Sequence, residues 1–408
     1  MNSKTIDKRN YKLHLYKTDK FKSVELHVVL TNEAKEDNFL ISALRELLYL
    51  TSGKYKTKRD RFIKEEDLYN ESFDIMTDRY GRMNSIDISC MFINPKLVND
   101  DYAEEAIKYP LDIFNNPIFD EDRLNEVKDK MKFNFKRMVE RPAAYAYRQA
   151  LDLYFDDPLD NVRFNVEDKI VDTITMKQIE DKYNEIINNS NVDVFLLGDY
   201  DDKWIDFIDN NLKFKSVNKE LNNYVCNPLT NELKTKVETK PGINQAQIYN
   251  IYNIPKLSGG DRVYLALQRL IIGGGQTGRL FQIVREQHHL CYDIHSSFNA
   301  YSCNYYIYTG VDKENVDKAK ELITEIVNSM ISITDEELDI AKNKLLNSYE
   351  SIYDSLEGIY NRVYGEILLG RIPLDEEINI TKQATKEDII KTNEKIILNT
   401  EYVLKGEE

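Results

Sequence analysis

A chain of 408 residues, 42% hydrophobic and 31% charged, is globular and longer than one hydrophobic core normally holds, so two domains are expected. Its net charge of −15 argues against a nucleic-acid partner, whose phosphates need Lys and Arg, while leaving attraction of basic peptides open. No run approaches the roughly 18 apolar residues of a membrane span, and the N-terminal MNSKTIDKRNYKLH holds no apolar signal core, so a cytoplasmic chain is expected.

Val24–Leu30 alternates like a strand. Phe39, Leu40, Ala43, Leu44 and Leu47 then follow helical spacing. The basic stripe Lys54–Glu66 reads as a solvated loop and helix start, and a long charged helix opens at Asp120. Val192–Gly198 closes this half as a buried strand, and Asn218–Thr230, which lacks periodicity, reads as a linker. The second half repeats the plan. Ala246–Ile254 is a strand, Val263, Leu267, Leu270 and Ile271 mark a helix, Thr334 with Glu337 forms a capping box, and Glu401–Leu404 is a closing strand.

Weak echoes tie the halves together. Ser42–Leu48 parallels Leu265–Ile271 at an offset of 223, Phe73-Asp-Ile parallels Tyr292-Asp-Ile at 219, Asp120–Leu124 parallels Thr334–Leu338 at 214, and Phe195–Gly198 parallels Val403–Gly406 at 208. Four echoes in one order with a steadily shrinking offset indicate a duplication. Two α+β domains follow, over residues 1–215 and 230–408.

The stretch Gly273–Ser297 carries the most chemistry. Gly273 and Gly278 have phosphate-loop spacing, but Arg279 and Leu280 stand where Lys and Ser/Thr should follow, and a helix precedes the loop where a strand should. Its glycines read better as a sharp turn and a close backbone approach. His288, His289 and His295 form the single histidine cluster, yet adjacent helical histidines point about 100° apart and rarely share a metal. His14 and His27 are isolated in β segments. Arg285 and Tyr292 bracket a helix-to-strand turn, offering a fork of donors and a hydroxyl on a rigid ring, a pair suited to gripping a peptide carbonyl. The structural alternative pairs Arg285 with Glu286 or Asp293 and buries Tyr292. The four cysteines, Cys90, Cys226, Cys291 and Cys303, include no C-x-x-C and read as free thiols.

Gly273-Gly-Gly-Gln-Thr-Gly-Arg279-Leu280-Phe281, Val284-Arg285-Glu286, Leu290-Cys-Tyr292 and Ser296 resemble the second-domain signature of the pitrilysin-type, inverted-zincin metallopeptidases, particularly the mitochondrial processing peptidase-like branch. Thr277-Gly278 replaces two serines and His289 a glycine. The resemblance implies two α/β domains, each a mixed six-stranded sheet with helices, together forming half of a clamshell. Catalytic members carry H-x-x-E-H on the helix matching Phe39–Leu50, where this chain has Ser42, Ala43, Leu44, Arg45 and Glu46. No metal ligand carries over, and the third-ligand helix, matching Asp120–Arg137, offers no assignable residue. The resemblance therefore implies a non-catalytic subunit without cofactor. Arg285 and Tyr292 would serve peptide processing in trans, beside a substrate-binding turn at Gly273, Gly274 and Gly275, and zinc would be confined to a homologous partner. The competing expectation is a homodimeric peptide-binding or scaffold protein in peptide maturation or translation-factor modification. No Ser-His or Cys-His arrangement supports a hydrolase acting alone.

Overall fold

Alternating and fully apolar segments each find their sheet in the computed structural model, which describes residues 3–229 and 232–407. Thr230 and Asn231, in the expected linker and at the expected start of the second domain, lie outside the described residues. The chain divides into two units. The first comprises Met1–Lys136, Val162–Asn223 and Asp354–Tyr364, the second Arg137–Asn161, Tyr224–Tyr353 and Gly365–Glu408.

In the first half the strands are β1 (Lys4–Asp7), β2 (Lys12–Lys17), β3 (Ser23–Glu33), β4 (Ser72–Tyr80), β5 (Met83–Ile93) and β6 (Asn191–Gly198), in the sheet order β1-β2-β6-β3-β5-β4. The second half supplies β7 (Lys234–Lys240), β8 (Ala246–Asn253), β9 (Cys291–Asn299), β10 (Asn304–Val311) and β11 (Ile397–Gly406), in the order β7-β11-β8-β10-β9. Without β1 the two orders coincide. β2 runs parallel to β6 as β7 does to β11, and the remaining pairings are antiparallel in both sheets. The α+β class and the duplication stand as expected, with five strands rather than six in the second sheet.

The helices that matter for the site are α1 (Phe39–Leu50), α2 (Lys58–Asp67), α3 (Glu121–Val139), α4 (Pro142–Tyr154), α5 (Met176–Asn189), α6 (Asp202–Asn211), α7 (Gly259–Gly273), α8 (Asp335–Glu350), α9 (Leu356–Leu368) and α10 (Lys386–Asn393). α1 packs on α5 and β4, and α7 packs on α10 and β9, so the two echo-bearing helices hold equivalent places in their units. Capping boxes start α2 at Thr57, α7 at Ser258 and α8 at Thr334, each satisfying backbone donors that the first helical turn leaves open.

β3 shows why the sequence alternates only weakly. Val24, Leu26, Val28 and Leu30 face the core that includes α1, yet Glu25, His27 and Thr31 on the other face are buried too. Their cover comes from Asp354–Tyr364, where Tyr360 stacks on His27 at 3.5 Å and Tyr364 donates to Ser85 at 2.8 Å. Reciprocally, α4 of the first half lays Ala146 and Ala150 on Tyr249, Ile251, Tyr402 and Leu404 in the second unit. Each sheet thus takes one cover from the other half of the chain, an exchange no local pattern announces.

The expectation of four free thiols is corrected. Cys226 and Cys303 are joined in a disulfide with Cα atoms 4.8 Å apart, while Cys90 and Cys291 are free. The aperiodic segment before Thr230 lies against the start of β10, with the Val225 amide donating to the Tyr301 carbonyl at 2.7 Å, and this contact brings the two cysteines together. No described helix is long and apolar enough to cross a membrane.

Candidate functional site

α1 is the place to test for a metal. Ser42 and Leu44 are buried, and the Arg45 guanidinium donates through Nη2 to the Glu46 carboxylate at 3.1 Å. Glu46 also accepts from Asn134 of α3 at 3.3 Å, so the helix expected over Asp120–Arg137 meets Glu46 with an amide. A serine hydroxyl, a guanidinium and one carboxylate already bound to that guanidinium do not fit zinc, which takes thiolate, imidazole or carboxylate donors. Among the described residues no group of three His, Cys, Asp or Glu is placed to hold a metal.

Beside Arg45 and Glu46 a cavity of 820 Å³ opens between α1, α2, β4 and α3. Its floor is ordered by Arg61. This side chain is buried, donates to the Tyr49 carbonyl at 2.7 Å and to Glu65 at 3.2 Å, and lies 5.0 Å from the centre of the Phe73 ring. The stripe Lys54–Glu66 was expected to be solvated. At Arg61 it is not, because the helical turn aims that residue inward while Lys58 and Phe62 border the cavity. The local sequence signal was slight: an Arg beside Phe62 on a short capped helix.

The second constellation lies in the other unit. After α7 the glycines turn the chain, and Phe281–Gln287 adopts a π-helix. Such wide turns are rare and frequent at functional sites. The Arg285 guanidinium sits between the rings of Phe281 and Tyr292, 4.6 and 4.9 Å from their centres. Its approach to Glu286 is loose, at 3.6 Å. Tyr292 opens β9 and is 78% exposed, in contrast to the buried Tyr249, Tyr252, Tyr305 and Tyr402 of the same sheet. Arg279 is a structural residue, with Nε and Nη2 on the Glu337 carboxylate at 2.6 and 2.8 Å, a pairing that holds this carboxyl at about 2.

The three glycines part company. Gly273 is buried, and a Cβ there would stand 2.4 Å from Ser296 Oγ and 2.7 Å from the Ser296 amide, so its smallness serves the approach of α7 to β9. A Cβ on Gly274 would meet the Leu270 carbonyl at 2.3 Å, and Gly275, exposed at φ +77°, faces open space. Lys344 closes the turn by donating to the Gly274 carbonyl at 2.9 Å and to the Thr277 hydroxyl at 2.6 Å. His288 and His289 are exposed, and His295 lies 5.2 Å from the Tyr308 ring.

The histidines read as isolated are not. His14 bonds Asp193 at 2.9 Å and Thr5 at 3.0 Å, while His27 bonds Asp87 at 3.0 Å and approaches Glu25 at 3.5 Å. Cross-strand neighbours, invisible to spacing along one strand, supply most of these partners.

With this geometry in place, comparison with known proteins is informative. Residues 173–345 match the family described as "Peptidase M16 inactive domain". The "Probable inactive metalloprotease YmfF" of Bacillus subtilis (strain 168) is 26% identical over 414 residues, spanning 97% of this chain and 96% of its own. The "Uncharacterized zinc protease YmxG" of the same organism is 24% identical over 323 residues, covering 76% of each. A crystal structure of a conserved protein from Enterococcus faecalis V583 superposes with a TM-score of 0.92 at 21% identity, covering 100% of this chain and 99% of that one. The peptidase M16 inactive domain from Pseudomonas fluorescens gives 0.83 at 17% identity, covering 100% and 98%.

The fold is that of the M16 peptidases.

M16 is the pitrilysin-type, inverted-zincin group, and this chain is similar over 97% of its length to a relative described as a probable inactive metalloprotease. The α1 helix of this chain carries no histidine.

Proposed function

We propose that the chain is a cytoplasmic, non-catalytic subunit that pairs with a zinc-bearing homologue, in the manner of the mitochondrial processing peptidase-like branch. It binds peptides in the shared chamber and contributes Arg285 and Tyr292. The observation that carries this reading is the Arg285–Tyr292 pair. Tyr292 is exposed, where the structural alternative demands a core tyrosine, and ring contacts rather than a close carboxylate position Arg285, leaving its donors for a substrate carbonyl. Of the glycine turn, Gly275 is the exposed residue and the one suited to meet a peptide. Zinc in the partner would supply an activated water, and Tyr292 would donate to the oxyanion that forms.

Reconstitution tests this. The chain and a zinc-bearing homologue, each inactive alone, should cleave peptides when mixed. Tyr292→Phe should lower kcat by about 10²–10³ without changing the melting temperature, because an exposed hydroxyl adds little to stability. Arg285→Ala should also weaken peptide capture, by ~1.5–3 kcal/mol. Activity indifferent to omission of this chain favours the homodimeric scaffold instead, and normal turnover by both variants overturns the assignment of the pair.

A further inference from the structure

We propose that the cavity between α1, α2 and α3 binds the free C-terminal carboxylate of a peptide whose last side chain is apolar or aromatic. This deepens the peptide-binding reading above and rests on it. Arg45 stands where the family's general base would stand, and only one arm of its guanidinium is committed, Nη2 to Glu46 at 3.1 Å. Its Nε is buried and finds no acceptor, and a buried donor without an acceptor is rare enough in folded proteins to call for an absent partner.

The charges of the cavity wall divide unevenly. Glu46 is engaged by Arg45, Glu65 by Arg61 at 3.2 Å and Glu126 by Lys58 at 3.0 Å. Asp129 makes no ion pair among the described residues, since Lys132 is held by Asp172 at 2.6 Å. Lys130 meets the Phe133 ring at 5.8 Å and, among the described residues, no carboxylate. The Arg45 Nε and the Lys130 ammonium are therefore donors without an acceptor at the cavity, and an anionic group placed between them would satisfy both.

The rest of the wall is apolar. Phe62 on α2 and Phe133 on α3 are 63% and 51% exposed, and Tyr49 and Phe73 lie deeper. At 820 Å³ the space falls in the roughly 300–1,000 Å³ range of small-ligand sites and suits the last residue or two of a chain. A carboxylate presents acceptors alone, matching donors that a carboxamide's own NH₂ would oppose, and charge-assisted hydrogen bonds are about twice as strong as neutral ones.

The test titrates the full chain with N-acetyl-Leu-Phe as free acid and as carboxamide, by calorimetry. The acid should bind at least about tenfold tighter than the amide, the difference a charge-assisted hydrogen bond makes. Arg45→Gln should bring the two affinities together, and Lys130→Gln should weaken the acid alone. Phe133→Ala should weaken acid and amide alike. If Arg45→Gln does not fold, Arg45→Lys serves: it keeps the charge beside Glu46, loses the fork, and should still erode the preference. Equal binding of acid and amide, no binding of either, or a preference unchanged in the Arg45 variants overturns the proposal. Equal binding leaves the peptide-binding subunit intact and removes only this site. Failure of reconstituted cleavage with the acid preference intact removes the catalytic partnership instead.

Discussion

His27 gives the chain a measurable alkaline weakness. Its ring is fully buried on β3, which by itself would lower the pKa, but the charge and hydrogen bond of Asp87, and then Glu25, outweigh burial and raise it from 6.5 to about 9. Tyr360 stacks on the ring and donates to the same Asp87 at 2.6 Å, so the covering segment shares in the cluster. A folded-state pKa above the unfolded one means that the protonated ring stabilises the native state. That contribution is complete below pH 6.5 and disappears as pH rises through 9. A displacement of about 2.5 in pKa, at roughly 1.36 kcal/mol each, makes it ~3 kcal/mol, to order of magnitude. The assay is urea unfolding followed by fluorescence of Trp204, the chain's single tryptophan, buried on α6 in the same unit. His27→Gln should lose about 3 kcal/mol at pH 6, a midpoint shift of about 1–2 M at the usual urea sensitivity, and the deficit should shrink toward a small constant above pH 9. A deficit that stays the same from pH 6 to 9.5 would refute the protonated cluster and leave His27 as mere packing.

Glu71 carries the opposite lesson for a carboxyl. Burial raises it from 4.5 to about 9, with the Cys90 thiol opposing slightly, so the folded chain holds it protonated at neutral pH, and stability falls as pH climbs from 4.5 through 9. Glu71→Gln should gain on the wild type by about 1.4 kcal/mol per pH unit across that window, and parallel stability profiles would show that the carboxyl is not buried as described. Gly273→Ala forces a Cβ against the Ser296 backbone and should cost ~1–3 kcal/mol by thermal unfolding. Gly275→Ala meets no atom and should lose only the strain of a positive φ, on the order of 1 kcal/mol, so equal stability of the two variants would contradict the packing role of Gly273.

Local periodicity was enough to read α1 at Phe39–Leu50, the closing strand β6 and the capping box of Thr334 with Glu337, because periods of 2 and 3.6 and an N-cap three residues from its partner are short-range properties. The duplication was legible for a related reason: each unit repeats the same order of such local elements, and the coinciding strand orders display it. The absence of histidine at residues 42 and 46 could also be read directly, since a missing donor type needs no coordinates. What the sequence could not supply were partners chosen by folding. Asp87 receives Tyr360 from 273 residues away, Cys226 meets Cys303 across 77, and Glu46 accepts from Asn134 across 88. The exchange of α4 and the start of α9 between the halves of the sequence belongs here too, because each sheet must bury a second face and the segment that covers it is decided by chain path, not by composition. Likewise Arg61 and Phe62 are neighbours on the same short helix. One became a buried strut and the other the rim of a cavity only when α2 settled against Phe73 and Tyr49, since burial and charge pairing are properties of a place in the folded chain and not of a residue.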